Sequence, residues 1–131
     1  MSHTTAIRSA AAWANPHRSL ELALAAARTA VENRGQNVAI LDMRELTSLF
    51  DYFVIATGSS GRQLRAMSDE IDHTLEDELG DHRLHTEGYR DTRWIVLDYG
   101  NVVIHLLDEE MRDYYRLEEL WSDAPRVPLG D

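Results

Sequence analysis

The 131-residue sequence contains no cysteine, so disulfide bonds, thiolate nucleophiles and thiolate metal ligands are excluded. It contains no lysine either, which excludes the lysine of a phosphate-binding P-loop. No apolar run reaches the length of a membrane span, and the N-terminal stretch lacks the apolar segment of a secretory signal. These absences predict a cytoplasmic protein without membrane association.

Positive charge is also scarce, because 13 arginines face 23 aspartates and glutamates and the formal net charge is −10. Such a chain repels phosphate backbones, so we do not expect autonomous nucleic-acid binding. An acidic surface instead favours a basic protein partner. The length is sufficient for one domain with a sizeable core, and nothing in the sequence indicates a second domain.

Hydrophobic periodicity predicts one ordered region between two less regular ends. We expect a flexible leader at 1–18, the folded domain at 19–121 and a loose tail at 122–131. The predicted elements are a helix at 17–34, strands at 37–43 and 52–58, a helix at 60–79, strands at 82–88, 93–99 and 102–107, and a helix at 108–121. This order predicts an α/β fold with a mixed sheet.

The predicted helices carry apolar stripes and local start signals. The inward positions are expected to be Leu20, Ala23, Leu24, Ala27 and Val31 in the first helix, Leu64, Met67, Ile71, Leu75 and Leu79 in the second, and Met111, Tyr114, Leu117 and Trp121 in the last. Ser60 and Gln63 have the spacing of a capping box, which predicts that the second helix begins just after Ser60. Asp108 is the expected cap of the last helix, and Gly80 is expected to end the second.

A hairpin is predicted at residues 93–107, RWIVLDYGNVVIHLL, because Gly100-Asn101 forms a two-residue loop between β-rich runs. The loop sets the register, which pairs Tyr99 with Val102, Asp98 with Val103, Leu97 with Ile104, Val96 with His105, Ile95 with Leu106 and Trp94 with Leu107. The face expected in the core carries Ile95, Leu97, Tyr99, Val102, Ile104 and Leu106. The opposite face carries Trp94, Val96, Asp98, Val103, His105 and Leu107. Its two polar groups make that face a poor dry interior and a candidate contact surface.

Metal-dependent nucleotide transfer is the most specific enzymatic alternative. It needs two carboxylates on one strand after a Gly-Ser turn, and the chain offers Gly58-Ser59 followed by Glu70 and Asp72. Both carboxylates lie within the predicted second helix, where residues two apart point to nearly opposite sides. They therefore cannot share a metal, and a solvated helix face is the favoured interpretation.

Two weaker patterns also favour a structural interpretation. The stretch 57–60 lies at a strand-to-helix junction but lacks the glycine density of a dinucleotide-binding loop, so we interpret it as a turn and cap. Asp98 and His105 are near enough to form a hydrogen bond, yet no serine elbow or cysteine accompanies them. A structural pair or a recognition surface is favoured over a hydrolase triad. His82 and His85 lie on another segment, so neither a metal nor another cofactor is predicted.

Several blocks, in order, resemble the ribosomal silencing factor family, also called Iojap-like, over about residues 20–121. They are the Leu41-Asp42 pair, FDYFVIATG at 50–58, the turn that ends near Arg62, the hairpin pattern W-I-V-x-D-x-G at 94–100, the pattern H-x-x-x-E-x-x-R at 105–112 and Leu120-Trp121. Residues 1–18 have no counterpart with an assigned family role, and Gly61 slightly alters the turn before Arg62.

The resemblance implies a five-stranded mixed sheet flanked by helices, related in shape to nucleotidyltransferases but without their catalytic groups. It further implies binding to the large ribosomal subunit through its universal protein fourteen, obstruction of joining to the small subunit, and lower translation when nutrients are short. Homodimers are common in the family. An enzyme related to nucleotidyltransferases and an adaptor for another basic protein remain the alternatives.

The resemblance also supplies an interpretation of the hairpin's second face as a docking surface. The residues expected to bind the partner are Trp94, Asp98, His105, Glu109, Arg112 and Tyr115. Trp94 is the expected anchor, Asp98 is expected to meet a basic group, and the last three residues are expected to extend the rim. The alternative for Trp94 is simple packing under the last helix.

Overall fold

The computed structural model describes residues 17–90 and 93–129, and its elements follow the predicted order. The helices are α1 (Arg18–Glu32), α2 (Gly61–Asp72, continued by the π-helical turn His73–Glu78), α3 (Glu109–Tyr115) and α4 (Leu117–Leu120). The strands are β1 (Gln36–Asp42), β2 (Tyr52–Gly58), β3 (His85–Glu87), β4 (Trp94–Asp98) and β5 (Val102–Asp108). The predicted leader falls, except for its last two residues, outside the described residues. Within the described ranges, no helix combines the length and apolar character needed to cross a membrane.

One mixed sheet, in the order β1-β2-β5-β4-β3, forms the centre of the fold. The central pair β2 and β5 is parallel, whereas the other neighbouring pairs are antiparallel. Parallel neighbours require a long connection, and here α2, β3 and β4 all lie between them in the chain. The predicted fold class, an α/β protein with a five-stranded mixed sheet flanked by helices, is confirmed.

The hairpin has the predicted register throughout its ladder. Trp94 pairs with Leu107, Val96 with His105 and Asp98 with Val103, and the Tyr99 N–H donates to the Val102 carbonyl at 2.9 Å. Gly100 has a φ of 86°, a conformation that L side chains rarely adopt and that the tight turn requires. A local turn signal was therefore sufficient to set the face of every side chain in β4 and β5.

The main core lies between the sheet and the two long helices α1 and α2. All six hairpin residues expected in the core are buried, namely Ile95, Leu97, Tyr99, Val102, Ile104 and Leu106. They pack with buried residues of α1 and α2, including Ala23, Ala27, Leu64, Met67 and Ile71. This packing leaves the opposite face of the sheet to the shorter C-terminal helices.

The start of α2 has the predicted cap. The Ser60 hydroxyl accepts from the Gln63 N–H at 3.1 Å. In a standard capping box the Gln63 side chain would accept from the N–H of the cap residue, Ser60. Here its Oε1 accepts from the N–H one residue earlier, that of Ser59, at 2.5 Å. Gly80 has a φ of 74° just after the π-helical turn, as expected for a helix-ending glycine.

Replacing Ser60 with alanine should lower the free energy of unfolding by about 1 kcal/mol, because a first-turn amide loses its acceptor. Urea denaturation measures this change. Ser59→Ala is the matched control, since the Ser59 hydroxyl donates to Gln63 but caps no amide of the helix. Equal stability of the two variants would show that Ser60 is not the effective cap.

Two predicted helix faces are partly wrong. Val31 of α1 is 50 % exposed, and Leu22, Ala26 and Ala30 are buried in its place, so the buried face is rotated relative to the predicted stripe. The reason is that small alanines allow α1 to approach the sheet closely, and the apolar spacing alone did not distinguish these positions. Tyr114 is 77 % exposed rather than inward.

The predicted last helix is divided in two at Arg116, whose φ is 50°. This left-handed residue ends α3, and α4 begins directly after it. Met111, Leu117 and Trp121 still pack inward, as predicted, against the second face of the sheet. The break changes the helix direction, which explains why the continuous helical spacing placed Tyr114 incorrectly.

The segment after Trp121 was expected to form a loose tail, but 125–127 is hydrogen-bonded along β1. The Asp42 N–H donates to the Pro125 carbonyl at 2.8 Å, and the Val127 N–H donates to the Ile40 carbonyl at 2.9 Å. Strand β1 is at the end of the sheet and otherwise would expose unpaired backbone groups. Pairing with this edge uses the carbonyl of Pro125 and the N–H of Val127, so the missing N–H of the proline does not interrupt it.

Candidate partner-binding site

The second face of the sheet carries a smaller hydrophobic cluster that is only partly covered. Its buried members are Leu41, Met43, Phe53, Ile55, Leu107 and Ala124. Partly buried residues pack around them, namely Phe50, Trp94, Val103, Met111, Leu117 and Trp121. Leu107 is fully buried, so one of the hairpin residues assigned to the contact face belongs to the core instead.

Seven aromatic rings, ranging from buried to exposed, form a connected series of ring contacts on this side of the sheet, which we call the aromatic face. Its members are Tyr114, Tyr115, Trp94, His105, Phe53, Phe50 and Trp121. The Tyr115 ring lies 4.8 Å from the Trp94 ring and 4.9 Å from that of Tyr114, measured between centroids. The rings of His105 and Phe53 are 4.8 Å apart and almost perpendicular.

One end of the aromatic face is strongly exposed. Tyr114, Tyr115 and Leu120 are exposed to 77 %, 44 % and 71 %, respectively. Exposed aromatic side chains of this kind, with Trp94 in contact with Tyr115, are typical of a protein–protein contact, where aromatic residues are enriched. The arrangement favours recognition of another macromolecule.

His105 joins the aromatic face to the interior. Its Nδ1 accepts a hydrogen bond of 3.0 Å from the Trp94 indole Nε1–H. An indole nitrogen only donates, so the His105 proton must be on Nε2 when the ring is neutral. Burial lowers the pKa of His105 to about 4, and the predicted pair with Asp98 is wrong because Trp94 is the partner.

Acidification should destabilise the folded chain through His105. Its pKa is about 4 when folded and about 6.5 when unfolded, so between these values the unfolded chain binds the additional proton. The contribution of neutral His105 to the free energy of unfolding is complete above the unfolded pKa and is lost as the pH falls toward 4. At about pH 5.5 the loss is on the order of 1 kcal/mol.

Urea unfolding of the wild type and of His105→Asn, each at neutral pH and near pH 5.5, measures this contribution. Asparagine does not titrate, so the variant should lose less stability than the wild type on acidification. Equal losses in the two proteins would contradict a neutral, buried His105.

Asp98 lies at the end of β4, away from Trp94. Its Oδ1 accepts from the Gly100 N–H at 2.8 Å, which stabilises the hairpin turn, and its side chain is half-buried. Within the described ranges, no ion pair involves Asp98. The observed role of the carboxylate is therefore to stabilise the turn.

Arg112 was expected on the rim, but its side chain is buried. Its Nη1 donates to the Thr57 hydroxyl at 2.9 Å, and its guanidinium donates to both carboxylate oxygens of Glu118, at 3.2 Å through Nε. Burial raises the pKa of Glu118, but the Arg112 hydrogen bonds and charge outweigh it and hold that pKa below its ordinary value. The expectation for Arg112 is corrected because the break at Arg116 brings Glu118 back toward it.

The structure thus brings together only part of the predicted set. Trp94, His105 and Tyr115 are in contact, and exposed Glu109 begins α3 at the far end of β5. Sequence reasoning missed Phe53, since its place beside His105 depends on the parallel pairing of β2 with β5. The available signals were its position on a predicted strand and its place in the family block FDYFVIATG at 50–58.

The two carboxylates considered for metal binding diverge as predicted. Asp72 accepts a hydrogen bond from the Tyr99 hydroxyl and forms an ion pair with Arg83, whereas Glu70 is exposed. Among the described residues, no group of three or more His, Asp or Glu side chains is arranged to hold a metal ion.

The fold and the aromatic face define a small α/β protein with a surface suited to a macromolecular partner. The sequence profile of the family described as ribosomal silencing factor during starvation matches residues 16–131. The chain belongs to the ribosomal silencing factor family, as the motifs indicated.

Relatives and solved structures agree with this family. A ribosomal silencing factor from Bacillus subtilis is 38 % identical over 104 residues, which cover 79 % of this chain and 87 % of the relative. The chloroplastic Iojap protein of Zea mays is 28 % identical, over 84 % of this chain and 47 % of its own length. A crystal structure of a Chromobacterium violaceum protein superposes with a TM-score of 0.75 at 34 % identity, covering 79 % of this chain and 85 % of the other.

Proposed function

We propose that this protein binds the large ribosomal subunit through the subunit's universal protein fourteen and obstructs joining to the small subunit. It would thereby lower translation when nutrients are limiting. The observation that supports this proposal most strongly is the aromatic face, whose exposed end has Tyr114 and Tyr115 in ring contact, with Tyr115 packed against Trp94. The mechanism is steric and needs no catalytic turnover and no cofactor.

The charge of the chain supports a basic protein partner rather than direct contact with ribosomal RNA. The formal net charge is −10, which disfavours phosphate backbones and favours a basic protein surface. Asp98 and Glu109 lie at opposite ends of the hairpin strands and would meet basic side chains. The aromatic residues would supply affinity, and the carboxylates would supply orientation.

We also propose that the protein is cytoplasmic. The free chain forms a homodimer in this proposal, because a second copy would cover the exposed end of the aromatic face.

Two alternative functions remain testable. A nucleotidyltransferase-like enzyme would incorporate labelled nucleotide, and incorporation that disappears in Glu70→Gln would support it. An adaptor would bind a basic protein other than one of the large subunit.

Sedimentation through sucrose gradients tests the proposal directly. The protein should co-sediment with purified bacterial large subunits, should not do so with small subunits, and should reduce the formation of complete ribosomes from the two. Co-sedimentation without any effect on subunit joining would favour the adaptor. Absence of co-sedimentation would contradict the proposed function.

Replacing Asp98 with asparagine should weaken binding to large subunits about threefold, since partly exposed ion pairs contribute roughly 0.2–1 kcal/mol. Asparagine preserves the shape and the Oδ1 acceptor for Gly100, so folding should change little. The salt dependence of binding should also become weaker. Unchanged affinity and unchanged salt dependence in the folded variant would remove Asp98 from the docking surface.

A further inference from the structure

The side chain of Trp94 is held in one orientation by two neighbours. Tyr115 packs against its ring at 4.8 Å, and His105 accepts its indole N–H at 3.0 Å. His105 is opposite Val96 in the ladder, so its contact with Trp94 is diagonal across the two strands. Diagonal neighbours are within reach of long aromatic side chains.

The hydrogen bond decides which way the indole ring faces. Rotation of the ring by half a turn about its last side-chain torsion would carry Nε1 away from the His105 acceptor. Only one ring orientation therefore retains the bond, which is within normal hydrogen-bond distance. An anchor that already has its bound orientation loses less entropy when a partner docks.

Histidine at position 105 has a cost that an apolar residue would avoid. Its Nε2 is buried and has no hydrogen-bond partner in the described part of the chain, and the ring lies edge-to-face with Phe53. A buried polar atom without a partner is destabilising. An aliphatic side chain of similar volume would fill the site without this penalty, but it would offer no acceptor to Trp94.

We propose that His105 is a positioning residue that orients the Trp94 indole for docking, without itself contacting the partner. This inference rests on the proposed function for its effect on binding, but the hydrogen bond can be tested without any partner. The side chain was expected on the docking surface as a contact. The ring is half-buried, its Nδ1 accepts from Trp94 and its Nε2 is buried, so the geometry assigns it a supporting role behind the indole.

Two substitutions separate orientation from packing. His105→Leu removes the acceptor and retains apolar volume, whereas His105→Asn retains an amide oxygen near the place of Nδ1. Each is made in the wild type and in Trp94→Phe, which has no indole N–H. Urea unfolding and dispersed amide spectra confirm folding of each variant.

Affinity for purified bacterial large subunits is the first readout. His105→Leu should raise Kd about fivefold in the wild-type background, in line with the loss of one net hydrogen bond, and His105→Asn should stay within about twofold. In the Trp94→Phe background neither substitution should change Kd further. Equal losses in both backgrounds, or no loss from His105→Leu, would overturn the positioning role.

The indole N–H resonance of Trp94 in a nitrogen-15 spectrum is the second readout, assigned by its absence in Trp94→Phe. It should be shifted downfield and protected from exchange in the wild type, change in His105→Leu, and return toward its original position in His105→Asn. A resonance insensitive to His105→Leu would overturn the proposal whether or not the protein binds subunits. Failure of the wild type to bind, with the expected indole response, would overturn only the proposed function.

Discussion

Replacing Trp94 with alanine is expected to weaken binding to isolated large subunits by roughly 30-fold or more, because loss of a central aromatic anchor costs about 2 kcal/mol or more. Trp94 is at the centre of the aromatic face, in contact with Tyr115 on one side and His105 on the other. Its removal would withdraw a large apolar surface and leave both neighbours unsupported. Co-sedimentation over a range of protein concentrations measures the change.

Stability has to be measured in parallel, since Trp94 also packs on the smaller hydrophobic cluster. The matched control is Tyr89→Ala, which removes a partly exposed aromatic whose hydroxyl donates to Asp69 of α2, on the opposite side of the sheet. Tyr89→Ala should retain wild-type affinity. A folded Trp94→Ala variant that still co-sediments and still prevents subunit joining would remove this face from the proposed mechanism.

Replacing Arg112 with methionine is expected to lower the free energy of unfolding by about 3 kcal/mol, because breaking a buried ion pair leaves a poorly solvated charge behind. Arg112 is buried, and its side chain joins Thr57 at the end of β2 to Glu118 in α4. The substitution would leave the Glu118 carboxylate without its main hydrogen-bond donors. Urea denaturation measures the loss.

Arg116→Met provides the control, because its ion pair with Glu119 is exposed on both sides and such pairs contribute little. We expect a change below about 0.5 kcal/mol for that variant. Adding Glu118→Gln to Arg112→Met should recover part of the loss, since the unpaired charge is then removed. Equal stability of Arg112→Met and Arg116→Met would show that the buried pair has no net stabilising effect.

The aromatic face also relates stability to recognition. Phe53 and Leu107 are buried members of the smaller hydrophobic cluster, and Trp94 and Trp121 pack against that cluster at its surface. A partner that covers Tyr114 and Tyr115 would extend this core across the interface, as aromatic-rich contacts do. Under the proposed positioning role, a substitution of His105 would change affinity through the orientation of Trp94.

The sequence by itself determined the features that depend on neighbours in the chain. The Gly100-Asn101 turn set the register of β4 and β5, and the spacing of Ser60 and Gln63 set the start of α2. Both signals act within a few residues, where backbone geometry and hydrogen bonding are nearly independent of the rest of the fold. The family motifs were equally visible, because they consist of residue types at short spacings.

Only the tertiary structure decided two other sets of contacts. The parallel pairing of β2 with β5 brings Phe53 to His105, and this contact depends on the packing of α2 and the sheet between the two residues. The left-handed residue Arg116 turns the chain so that Glu118 meets Arg112 only six residues away, and the continuous helical spacing of the sequence did not predict that break. The candidate site is made from a hairpin that the sequence specified and from neighbours such as Phe53 that packing supplied. The predicted register placed both Trp94 and Asp98 diagonal to His105, and only the side-chain geometry decided that Trp94 is its hydrogen-bond partner.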